Sequence, residues 1–247
     1  MPEPNGTINN LGELITHSAN LVRVFGRPEV WWRGHGRTEW PLTPGVYREG
    51  RDWNYERSAS ALFVMKAHTR YAQCPPEGDW AEWLFLMQHY RLPTRLLDWT
   101  ESCLVAAFFA ATDHPQQDGA LWALDPMGLN ERQAGTPRLF SPGGAVVGPL
   151  TLPPFNQDAA QIDRTLAIIT KEVDVRMLIQ QSAFTIHGSI APLDTLPGFD
   201  VFTRKFTVPV AAKMLIRDQL NALGFSPHTL FPDLEHLAGW LAGLRFS

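Results

Sequence analysis

Residues Gln88 to Ala111 read "QHYRLPTRLLDWTESCLVAAFFAA". The stretch sets His89, Arg91, Arg95 and Asp98 directly before a run of small apolar and aromatic residues fit only for a protein interior. Each polar type carries its own chemistry. An imidazole moves protons near neutral pH, a guanidinium offers a planar fork to phosphate or carboxylate, and a carboxylate takes a proton or faces a developing cation. The cluster has two readings: capping and pairing groups at the edge of a buried element, or one wall of an active site.

"WWRGHGR" is the second group. An Arg at the end of an apolar strand, Arg33, can grip an anion while Gly34 lets a ligand approach the backbone; the plainer reading pairs Arg33 with a carboxylate at a strand end. His35 and Arg37 add donors to the same turn. In "TRLLDWT" the odd spacing of Arg95 and Asp98 puts them on opposite faces of a strand, with Leu97 and Trp99 beside the first and Leu96 and Thr100 beside the second. Asp98 then either caps the next helix or reaches into a cleft beside Thr100. His89 falls at a helix end, where the dipole favours its protonated form. Cys103 near a helix start has the position of an activated thiolate, but it opens an apolar run with no base close in sequence and reads as a buried thiol. The eight histidines show neither HExxH nor HxH spacing, and no phosphate-loop, dinucleotide or nucleophile-elbow motif is present.

These groups need elements to hold them. Asn10 with Glu13 has capping-box spacing and opens a helix through about Phe25. "PEVWWRGHG" reads as a strand, "EWPLTPGVYRE" as loop, and Ser58 to Gln73 as a helix. Asp79 caps a helix that must stop before Pro93. "TRLLDW" reads as a strand, "CLVAAFFAAT" as a helix capped by Thr100 or Ser102, and "DGALWALDP" as a strand. Met127 to Asp163 is rich in Pro and Gly and reads as a partly ordered insertion of the kind that supplies a lid. "TLAIIT", "AFTIHG" and "KFTVPV" read as strands. Pro209 and Gly224 bracket a helix, Ser226-Pro227 starts another turn, and Asp233 caps a last amphipathic helix.

Composition bounds the rest. The chain has 247 residues, 45% hydrophobic and 19% charged, enough for a sizeable core. A formal net charge of -4 with no Lys/Arg block gives no sign of counterion-driven duplex binding. The longest apolar run, Cys103 to Ala111, is too short for a bilayer, and "MPEPNGTINN" lacks the regions of a signal peptide. Two separated cysteines form no disulfide framework, so a reducing, cytoplasmic setting is expected. The expected architecture is one α+β domain over residues 1–247, a central mixed or antiparallel sheet flanked by helices. Its core covers about 28–190, and a helical C-terminal segment about 205–247.

"WWRGHGRTEWPLTPGVYRE" followed by "QHYRLPTRLLDWTESCLVAAFFAA" resembles the FRG domain, a bacterial and phage-encoded family named for a Phe-Arg-Gly motif. Here the triplet is Trp32-Arg33-Gly34. "RMLIQQSAFTIHG", with Ser182 in place of an expected Gly, and the tail "FPDLEHLAGWL" also look like that family, so the resemblance runs from about Val30 onward. More distantly, the order of blocks is similar to the plan of ADP-ribosyltransferases. That likeness implies an ADP-ribosyltransferase-like fold and NAD as substrate. Arg33 would hold the pyrophosphate, backbone at Gly34 the nicotinamide, Trp99 would stack on it and Thr100 would support its ribose, with His35 and Arg95 as further donors. Where those enzymes bring a Glu to the ribose, this chain offers Gln180, Glu172 or Asp98, and Gln180 is the first choice. The implied product is ADP-ribose on a protein or nucleic-acid acceptor, or free after NAD hydrolysis, in a toxin or phage-defence role. The alternatives are a non-catalytic nucleotide- or phosphate-binding module holding its ligand through Arg33, His89 and Arg95, and a metal-dependent nuclease or hydrolase using His89 and Asp98.

Overall fold

The computed structural model describes residues 3–169 and 174–244. Glu172, one of the acidic candidates, and Thr170, the end of the expected strand "TLAIIT", lie outside the described residues.

A six-stranded sheet carries the fold. Its strands are β1 Trp31–His35, β2 Leu96–Thr100, β3 Gly119–Leu124, β4 Thr165–Ile168, β5 Ser182–His187 and β6 Thr203–Val208, in the order β4-β5-β2-β1-β3-β6. Every strand pair is antiparallel. The helices are α1 Leu11–Phe25, α2 Trp53–Ala67, α3 Trp80–His89, α4 Cys103–Thr112, α5 Pro126–Ala134, α6 Gly148–Thr151, α7 Val175–Ile179, α8 Phe199–Phe202, α9 Val210–Ala222, α10 Pro227–Leu230 and α11 Leu234–Gly243. The α+β expectation therefore holds, with an antiparallel sheet. No helix among the described residues is long and apolar enough to cross a membrane.

Local chemistry accounts for the starts of these helices. The side chains of Asn10, Asp79, Ser102 and Asp233 each accept a bond from a first-turn amide, at the four caps expected. α2 starts five residues before the expected Ser58, because Asp52 caps it through the amides of Asn54 and Tyr55. The larger correction is the segment from Met127. Asp125 caps α5, Pro126 occupies its first turn, and Gly135 ends it in the left-handed conformation at φ 70°. Asn130 of α5 is fully buried, exchanging bonds with the backbone of Ala167 on β4, and Val147 and Leu150 sit in the core. This segment is packed structure over the sheet.

Three hydrophobic groups flank the sheet. Leu14 of α1, Ala106 of α4 and Ile216 of α9 cover Trp32, Leu121 and Phe206 on one face. Leu84 and Met87 of α3, with Leu150 of α6, cover Leu96, Leu166 and Ile186 further along it. Trp31, Trp99, Trp122, Leu129 and Phe202 form the third group. α4 is apolar all round, as a helix buried between a sheet and other helices must be. It lies unusually close to β1: a Cβ on Gly34 would stand 1.9 Å from the Ala106 carbonyl oxygen. Gly34 is thus required for helix–strand packing, not for the ligand approach expected from its place after Arg33.

Candidate functional site

The sheet is parted at its centre. β1 and β3 stay in register over all five residues from Trp31 to His35, whereas β1 and β2 meet only where Trp32 faces Thr100. Beyond that point the Asp98 carbonyl of β2 has no ladder partner on β1 and takes a side-chain donor in its place. Arg33 supplies it, donating from Nη1 to the Asp98 carbonyl at 2.5 Å. Its Nε donates to His35 Nε2 at 2.9 Å. A side chain therefore bridges the two strands where a ladder would have closed them, and its guanidinium keeps 16% exposure.

A cleft of about 1030 Å³ opens over this parting, large for a small-molecule site. One wall is α4, with Val105 and Phe109; another is the end of α3, with Phe85, Gln88 and His89; a third is the segment from Asp174 to Phe184. The loop after β1 brings Trp40, Arg48 and Glu49. Lys213, buried on α9, fixes the root of that loop by donating to the carbonyls of Gly36, Asp113 and His114.

Four guanidiniums line the cleft: Arg33, Arg48, Arg91 and Arg176. Burial lowers the proton affinity of Arg33, to a pKa of about 10, against the opposing pull of Asp98. Burial does the same to Arg48 and to Arg176, the latter also repelled by Arg91. At about 10, Arg33 remains charged at neutral pH. The Asp98 charge acts on three of them: Arg33, Arg48 and Arg176. Its carboxylate is exposed and receives Gln88 Nε2 at 2.9 and 3.0 Å, while Thr94 Oγ1 donates to Gln88 Oε1 at 2.6 Å and fixes that amide. Asp98 thus reaches into the cleft, and capping of α4 falls to Ser102.

Backbone strain marks the same place. Among the described residues four non-glycine positions have positive φ: Glu49 (59°), Arg91 (62°), His114 (45°) and Gln181 (46°). Glu49 and Arg91 line the cleft, and the other two directly follow the lining residues Asp113 and Gln180. Such conformations cost about 1–3 kcal/mol each and persist where surrounding structure dictates them, often at functional sites.

The expected residues divide. Arg33, Gly34, His35, His89, Asp98, Trp99, Thr100 and Gln180 all line the cleft. His35 is buried, and burial followed by the Arg33 charge drives its imidazole well below the usual histidine range; it is the neutral acceptor that aims Arg33. Thr100 donates to the Gln180 carbonyl and accepts from Ser102 N. Gln180 donates its amide to the Leu230 carbonyl. Two expectations are corrected. Trp99 is only 3% exposed, with its indole donating to Thr185, so its ring is no stacking platform; Trp40 is the partly exposed indole at the cleft. Arg95 lies outside the cleft, wholly buried, its Nε and Nη2 gripping both oxygens of Glu56 at 2.9 and 2.6 Å and its Nη1 donating to Leu150 O. Arg48, Asp174 and Arg176 join the cleft from two segments outside "QHYRLPTRLLDWT", which only the tertiary fold brings there. Among the described residues no three His, Cys, Asp or Glu side chains gather as a metal ligand set.

The molecule is an α+β protein with a parted antiparallel sheet and an arginine-lined cleft over the parting. Residues 28–119 match the family model of the FRG domain. The match runs from before β1 to the start of β3 and so includes Arg33, Arg48, His89 and Asp98, while Asp174, Arg176 and Gln180 lie beyond it. Neither the curated proteins nor the solved structures contain a match to this chain.

Proposed function

We propose that the cleft binds NAD and breaks its nicotinamide–ribose bond, passing ADP-ribose to a protein or nucleic-acid acceptor or to water. The observation that carries this reading is the parting of β1 from β2, bridged by Arg33, whose nearest carboxylate oxygen, Asp98 Oδ2, stands off at 3.9 Å. Arg33 and Arg48 would hold the pyrophosphate by charge-assisted hydrogen bonds. Breaking the glycosidic bond builds positive charge on the ribose, and a carboxylate fixed beforehand stabilises it without reorganising. Asp98, held by Gln88, suits that task better than Gln180, whose amide is tied to Leu230. The order of the sequence blocks, Arg33-Gly34 before "LLDWTESCLVAAFFA", supports the same plan by analogy. A cytoplasmic setting and a toxin or phage-defence role belong to this proposal.

A second reading, a nucleotide- or phosphate-binding module without turnover, is favoured by one observation: three arginines already balance the Asp98 charge. Incubation of the protein with NAD, with and without cell lysate, separates the two by mass spectrometry. Nicotinamide release with label on a lysate component identifies a transferase, and release without label a hydrolase. NAD binding without release selects the module. Absence of both binding and release overturns the NAD assignment.

A further inference from the structure

His89 ends α3 and Asp174 precedes α7, so two separate elements bring them together at the cleft wall. His89 Nδ1 stands 2.7 Å from Asp174 Oδ2. Asp174 Oδ1 accepts the Met177 amide at 2.9 Å as the helix cap, while the buried Oδ2 takes no hydrogen bond and meets the imidazole as an ion-pair contact. The Tyr90 ring meets the imidazole edge-on at 4.8 Å and 87°. A carboxylate this close to an imidazole stabilises, by its charge, the imidazolium formed when the ring takes a proton. His89 keeps 33% exposure and lines the cleft. The charged groups around the pair are Asp98 on β2, Arg91 after α3, Arg176 on α7 and Asp233 before α11, all coupled through Arg176.

We infer that His89 and Asp174 are the pair that deprotonates the acceptor, and that the acceptor group is a hydroxyl, whether of water or of an organic alcohol. The inference rests on the NAD reading above. In the step, the bond from ribose C1′ to nicotinamide breaks and its electron pair leaves with neutral nicotinamide. The acceptor oxygen bonds to C1′, and its proton passes to His89 Nε2. Gln88 couples the two halves of the site, since it holds Asp98 and directly precedes His89.

An anionic nucleophile needs no base, which provides the test. Wild type, His89→Asn and Asp174→Asn are incubated with NAD in water, in aqueous methanol and with sodium azide. ADP-ribose, its methyl glycoside and its azide are then quantified by mass spectrometry, with NAD binding titrated in parallel. The variants should bind NAD within about twofold of wild type, lose about 100-fold in both hydroxyl products, and still form the azide product. Because Asp174→Asn also touches a helix cap, His89→Gly with added imidazole is a second arm, and imidazole should restore the hydroxyl products. Water and methanol products together support a general hydroxyl acceptor; water alone narrows it to hydrolysis. Undiminished hydroxyl products overturn the inference. So does equal loss of the azide product in variants that still bind NAD. A wild type that forms none of the three products overturns the NAD chemistry itself, a result distinct from either.

Discussion

Arg33 and Arg95 sit on or beside neighbouring strands, and both read from sequence as anion-binding groups. The fold treats them oppositely. Arg95 is sealed at 0% exposure against Glu56, a carboxylate 39 residues away on α2, with both forks satisfied. Arg33 meets a backbone carbonyl and a neutral imidazole, and its nearest carboxylate oxygen is 3.9 Å away. A guanidinium already holding a bidentate carboxylate has nothing left for a ligand; one aimed by neutral acceptors keeps its charge available. What separates binding arginine from structural arginine is the partner the tertiary fold delivers.

The largest effect should follow from breaking the Arg95 pair. Arg95→Ala strands the Glu56 carboxylate in the interior and should cost about 3–5 kcal/mol in urea unfolding, whereas Arg33→Ala should cost about 1 kcal/mol. Equal losses would erase the distinction.

A smaller effect concerns the two buried histidines near these arginines. Burial first and the Arg33 charge second hold His35 and His187 below the ordinary histidine range, His187 at about 3. In the unfolded chain each returns to about 6.5. Below that pH the unfolded state binds protons the folded state refuses, so stability is full above pH 6.5 and falls by about 1.4 kcal/mol per pH unit per histidine on acidification. His187→Gln should flatten this slope in unfolding experiments between about pH 6 and pH 4. An unchanged slope would assign the acid sensitivity to other groups.

Much of the frame was legible because it is local. Asn10, Asp79, Ser102 and Asp233 announce helices through their own next three residues, and the apolar run "GALWAL" is bounded by turn residues. α5 carries equally local signals in Asp125, Pro126 and Gly135, but Asp-Pro also fits the exit from a strand. The site was legible only as far as it is contiguous. "QHYRLPTRLLDWT" held His89, Arg91 and Asp98 together, and the cleft lies there. The Glu56 that removes Arg95 from it, and the Arg48 and Arg176 that complete it, arrive from other segments, and no spacing within those segments points to the cleft. Gly34 shows the same limit: one residue suits a ligand or a helix equally, and only Ala106 at 1.9 Å from its absent Cβ decides for the helix.

The most direct test is a calorimetric titration of NAD into wild type and Arg33→Ala, each first shown to unfold cooperatively. Loss of one charge-assisted contact to a phosphate should weaken binding by about 10–100-fold in the variant. Equal affinity in the two proteins would contradict the account, placing the ligand away from the parted strands and leaving Arg33 with a purely structural task.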